Sequence, residues 1–159
     1  MKNSLLLLIL ILVPAASFAQ EKSTEHYRIL AEQGDASAQN ELGVRLAEGI
    51  GTKSNNKLAV DWFRKSAEQG NALGACNLGL HYARGAGIRK NLIEGFKWFY
   101  IANSLDSLKC HPRDYAELFK PSKAQDKKAW RLAVTWLRAN PELKNDFGER
   151  PWFKGKGAI

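Results

Sequence analysis

Few side chains in this sequence have the types and spacing to do chemistry. There are two cysteines, Cys76 and Cys110, and three histidines, His26, His81 and His111. Cys110 and His111 pair a nucleophile with a base, but adjacent side chains diverge from the backbone and rarely meet at one point. A metal site needs spacings such as C-x-x-C or H-x-x-x-H. Neither occurs, so no metal is expected. Ser54-Asn55-Asn56-Lys57 matches S-x-x-K, in which a lysine one turn beyond a serine at a helix start serves acyl transfer. The S-D-N and K-T-G that complete this hydrolase signature are missing, and Lys90 stands where Ser54 would repeat. Gly49-Ile50-Gly51 lacks the third glycine and the strand of a dinucleotide loop, so no cofactor is expected. The carboxylates form no convincing acid–base pair. The reading these residues favour is non-catalytic, with a β-lactamase-like hydrolase as the alternative.

What remains is organisation. The chain has 159 residues, 45% of them hydrophobic and 25% charged, which fits one folded globular domain and excludes collagen-like and disulfide-dense chains. Its net charge of +8 leaves nucleic acid, anionic membrane surfaces and acidic proteins open as partners. Residues 1–19 read as a secretory signal peptide: Lys2, an apolar run from Leu5 to Val13, a break at Pro14, and small residues at Ser17 and Ala19. The run is far short of the ~20 residues that span a bilayer. Cleavage after Ala19 would give a periplasmic or secreted protein. In such an oxidising compartment Cys76 and Cys110 can pair; the other reading is two small buried side chains.

The mature chain repeats at an offset of 36 residues without a gap. Ala31-Glu32-Gln33-Gly34 falls on Ala67-Glu68-Gln69-Gly70, Leu42-Gly43 on Leu78-Gly79, and Trp62-Phe63 on Trp98-Phe99. Gly49, Gly51 and Asn55 fall on Gly85, Gly87 and Asn91. Asp35 and Asn71, after a Gly turn, are placed to cap one helix of each unit, and Asn55 and Asn91 to cap the next. Gly49 and Gly85 are expected as left-handed caps. Each unit therefore reads as a helix hairpin that must stack on a neighbour to bury its apolar face. A leading half repeat (22–33) precedes repeats 31–66 and 67–102. There His26 takes the place of Trp62, as a half-buried packing residue. His81, the counterpart of Arg45, is expected to be exposed.

At these positions the sequence resembles the Sel1-like repeat family, relatives of the tetratricopeptide repeat. Ala31, Gly34, Ala38, Leu42, Gly43, Gly49, Gly51, Ala59 and Trp62 carry the pattern in the first copy. Ala67, Gly70, Gly74, Leu78, Gly79, Tyr82, Gly85, Gly87 and Trp98 carry it in the second. Leu46 replaces the family's first Tyr, and Asn55 and Asn91 its Asp. The resemblance implies an all-α fold, a short right-handed α-solenoid with a C-terminal capping helix. It also implies a binding module of adaptor, regulator or toxin-immunity type whose partner is another protein or peptide. By tetratricopeptide-like geometry, Asn40 and Val44, then Cys76 and Leu80, point into a concave groove. Glu48 and Arg84 lie one turn further, and Glu41 and Asn77 rim it. Such a groove is only mildly charged and suits a peptide, helix or loop rather than nucleic acid.

The remaining third forms a divergent cap, 112–139. A short helix from Pro112 holds Tyr115, Leu118 and Phe119. Pro121-Ser122-x-x-Gln125 is a capping box opening a helix that ends at Asn140-Pro141. Trp130, Ala133, Val134 and Leu137 form its apolar face. Lys123, Lys127, Arg131 and Arg138 form a basic stripe, a polar outer face for the stack or a contact for an anionic membrane surface. Residues 140–159 read as a flexible tail, in which Phe147, Trp152 and Phe153 are the docking candidates. Two repeats are few for a stable stack, so the half repeat and the cap, or a second chain, must complete the core.

Overall fold

The computed structural model describes residues 23–106, 108 and 110–143. The leader expected over 1–19 and residues 144–159 of the expected tail lie outside the described residues. Seven helices follow one another: α1 (Thr24–Glu32), α2 (Ala36–Glu48), α3 (Asn56–Glu68), α4 (Ala72–Arg84), α5 (Leu92–Leu105), α6 (Pro112–Phe119) and α7 (Lys123–Ala139). There is no strand among the described residues, and the architecture is an all-α solenoid of helix hairpins.

The helix ends follow from local chemistry. Asp35 and Asn71 accept from the backbone N–H groups of Ala38 (2.7 Å) and Gly74 (2.9 Å). Asn55 accepts from Leu58, and Asn91 from Ile93 and Glu94. Each satisfies an amide at a helix start that has no partner within the helix. Gly49 and Gly85 end α2 and α4 with φ of 78° and 79°, a left-handed conformation that only glycine adopts without strain. Ser122 and Gln125 form the complete capping box of α7.

Inside each hairpin an aromatic ring rests on a glycine. A Cβ added to Gly43 would lie 2.6 Å from the Phe63 ring. One added to Gly79 would lie 2.7 Å from Phe99 and 2.8 Å from the Gly95 carbonyl oxygen. The repeated Leu-Gly is thus a seat: Leu42 and Leu78 are fully buried, and the glycine beside each admits the facing helix.

Between hairpins the outer face of each ring meets a planar group of the next unit. The Arg45 guanidinium lies 4.8 Å from the centre of Tyr27, and the His81 ring lies 5.1 Å from Phe63. Tyr115 stacks on Phe99 at 4.0 Å. Tyr27, Phe63 and Phe99 are 36 residues apart, as are Arg45 and His81. The short helix α6 therefore supplies the next planar group of the series, and α7 closes the stack along α5. There Trp98 meets Trp136 edge to face, and the Tyr100 hydroxyl donates to Asp126 at 2.7 Å. Burial, then this hydrogen bond to a carboxylate, raises the Tyr100 pKa well above 10, so the phenol stays a donor.

Two expectations are revised. The buried face of α7 consists of Ala129, Ala133, Val134 and Leu137, with Trp136 packed against the core, while Trp130 is half-buried on the opposite flank. At the start of the expected tail, Leu143 lies against Gly70 of the α3–α4 turn.

Candidate functional site

The stack curves toward its first helices. α2 and α4 pack directly on each other, whereas α3 and α5 barely touch. The inner face is therefore made by α2 and α4. Its floor is an amide bridge: Asn77 donates from Nδ2 to Oδ1 of Asn40 at 2.8 Å. A second bridge links the turns, with Gln69 donating to Gln39 at 2.7 Å and Gln39 donating to the Ala31 carbonyl.

The proposed groove residues separate into three settings. Asn40 is buried and Asn77 half-buried, the two held by each other. Val44 and Leu80 are half-buried and pack on the core while keeping an outer surface. Glu48 and Arg84 are exposed at the far ends of α2 and α4. Glu41 pairs with Arg45 at 3.1 Å instead of remaining a free rim carboxylate. The sequence reading missed Leu73, a large exposed apolar side chain one turn before Asn77 on α4. The spacing 73, 77, 80, 84 marks one face of a helix and was the available signal.

Cys76 does not line an open groove. It is bonded to Cys110, with Cα atoms 5.9 Å apart, and is 6% exposed. The Tyr115 hydroxyl lies 3.2 Å from its sulfur. The disulfide and Tyr115 thus bring the start of α6 onto the stack, and the open inner face runs along α2 and the outer turns of α4. It offers aliphatic surface around an amide pair, with one carboxylate and one guanidinium at its edge.

The remaining candidates for chemistry are placed elsewhere. The Ser54 hydroxyl donates to the Ala47 carbonyl at 2.9 Å, and Ser54 precedes the Asn55 cap, so it is not on the helix that carries Lys57. His111 accepts from the Arg113 N–H as the cap of α6, and Cys110 is held by Cys76. Among the described residues no three His, Cys, Asp or Glu side chains converge as a metal site would require.

His81 is half-buried, contrary to the exposed position expected of it. Its ring packs on Phe63 and its Nδ1 donates to the Ala86 carbonyl at 2.9 Å. Burial lowers its pKa below the usual 6.5, opposed by the Ala86 bond and aided by the Arg84 charge. The fold therefore favours the neutral ring, and the unfolded chain binds the proton more readily. That contribution is full above pH 6.5 and declines as pH falls below it toward the lower folded value. Denaturant melts across this window are expected to show the decline. His81→Gln should remove the corresponding part of the slope, and an unchanged slope would contradict the assignment.

Stacked hairpins with glycine-seated rings and an inner face built from successive first helices define a helical-repeat protein. Residues 36–71 and 72–107 each match the Sel1 repeat, so the chain carries two consecutive Sel1 repeats. These bounds follow the same period as 31–66 and 67–102, five residues later. Among solved structures it is similar to c5321, a protective antigen present in uropathogenic Escherichia coli strains and displaying an SLR fold. That similarity has 26% identity and a TM-score of 0.66 over 80% of this chain; it spans 29% of the length of c5321. A Sel1 repeat protein from Oxalobacter formigenes aligns at 25% identity and a TM-score of 0.45, over 76% of this chain and 55% of its own. No curated protein matches. Sel1 repeat proteins are generally protein-interaction modules, and the fold is typically a non-catalytic scaffold.

Proposed function

We propose that this protein is a non-catalytic interaction module of the cell envelope, an adaptor or regulator, that takes one segment of a partner protein on the α2–α4 face. The observation that carries the reading is that Val44 and Leu80, aliphatic and only half-covered, each lie one turn beyond the Asn40–Asn77 bridge on their helices. The bridge fixes the spacing of the two helices, so the face is formed before a partner arrives and little ordering cost accompanies binding. Exposed Leu73 extends the apolar surface, and Glu48 and Arg84 supply polar contacts at its edge. The leader expected over residues 1–19 from the sequence, together with the Cys76–Cys110 bond, supports action outside the cytoplasm.

The test is a double substitution, Val44→Glu with Leu80→Glu. Both side chains keep an outer surface, so the helical circular dichroism spectrum is expected to persist. Affinity capture from the native envelope fraction, read by mass spectrometry, should lose the partner recovered with the unaltered protein. Recovery of the same partner by both proteins would refute the placement of the face.

A further inference from the structure

Outside the inner face, the most strongly charged surface is the outer side of α7. Lys123, Lys127, Lys128, Arg131 and Arg138 are all exposed, and no ion pair engages them among the described residues. The sole acid on this helix, Asp126, lies on another side and accepts from the Tyr100 hydroxyl, so it does not neutralise the stripe. From Lys123 to Arg138 the cations extend along about 22 Å of one straight helix.

We infer that this face adsorbs to a phospholipid bilayer bearing anionic headgroups. Shape favours a plane. The stripe sits on the last helix of the stack, which packs on α5 with its opposite side. The other exposed residues on this side, Ala124, Thr135 and Ala139, are small, so among the described residues no large side chain stands between the cations and a flat array of phosphates. The alternatives lack their usual anchors. Single-stranded nucleic acid needs a run of exposed aromatic platforms, whereas the ring bordering this face among the described residues is Trp130, which is half-buried. A protein interface needs a buried apolar or aromatic centre, and the stripe offers only methyl groups. Among the described residues no fully exposed side chain between the cations is large and apolar, so adsorption rests chiefly on charge and must fall with ionic strength. The stripe shares no residue with the α2–α4 face.

The test uses residues 20–159, the chain after the expected leader, and vesicles of phosphatidylcholine, with or without a large fraction of phosphatidylglycerol. Cosedimentation is expected with the anionic vesicles at low salt, absent at high salt, and absent with neutral vesicles. Lys127→Glu with Arg131→Glu should weaken it about tenfold or more, since each basic residue near the surface adds to the attraction. Both sites are exposed, so the melting temperature should not change. Lys53→Glu with Lys57→Glu, also exposed, makes the same change in net charge elsewhere and should leave binding largely intact. Equal loss from both double variants would overturn the inference, as would binding that persists at high salt. No vesicle binding, with tight binding to an acidic protein or to nucleic acid instead, would overturn it as well.

Discussion

Phe99→Ala is expected to lower the free energy of unfolding by about 3–5 kcal/mol, the range for removing a fully buried phenylalanine. Phe99 is 0% exposed. It rests on Gly79, meets Phe96 edge to face at 5.4 Å and lies under Tyr115. The space it leaves cannot easily close. α4 and α5 are already in backbone contact, since a Cβ on Gly95 would lie 2.9 Å from the Gly79 carbonyl oxygen. Little relaxation is available, and the cost should fall toward the upper part of the range. Tyr115→Phe keeps the ring and removes only the hydroxyl beside the Cys76 sulfur, so it should cost far less. Denaturant titrations followed by circular dichroism would compare the two. Similar small losses for both would mean that the Phe99–Tyr115 stack does not hold the cap in place.

Opening the Cys76–Cys110 bond is expected to cost about 3–4 kcal/mol, the loop-closure value for a separation of 34 residues. The bond joins the middle of α4 to the residue that precedes His111, the cap of α6. Since α6 has only eight residues and packs on the core through few side chains, among them Tyr115, Ala116 and Phe119, the loss should be uneven. In Cys76→Ser with Cys110→Ser, or under a dithiol reductant, amide exchange in α6 should accelerate more than in α2 and α3. The effects of opening the bond and of Phe99→Ala should not add, because both act on the attachment of the same helix. An unchanged melting temperature on reduction would contradict this role.

The parts of the fold that were legible in the sequence are those set by local chemistry. Asp35, Asn55, Asn71 and Asn91 cap helices because a short polar side chain is needed at those positions. Gly49 and Gly85 end helices because a left-handed residue is needed there. The repeat placed both sets without tertiary information. What stayed hidden depends on where a neighbour lies. Trp130 and Trp136 flank the same apolar stripe on opposite sides, and only the position of α5 decides which one meets Trp98. Arg45 and His81 look like surface residues by type, yet both cover an aromatic ring of the preceding hairpin. Within the inner face, repeat register located Val44 and Leu80. It did not show that Asn40 is held by Asn77, or that Cys76 is covered by α6.

The central claim is that a partner segment lies along α2 and α4. Site-specific photo-cross-linking tests it most directly. A benzophenone side chain is placed at Leu73 or Leu80 on the inner face, and at Asp61 on the exposed side of α3, in cells that produce the protein. The account predicts one adduct of the same mass from positions 73 and 80 and none from position 61. An adduct from position 61, with none from the inner face, would contradict it.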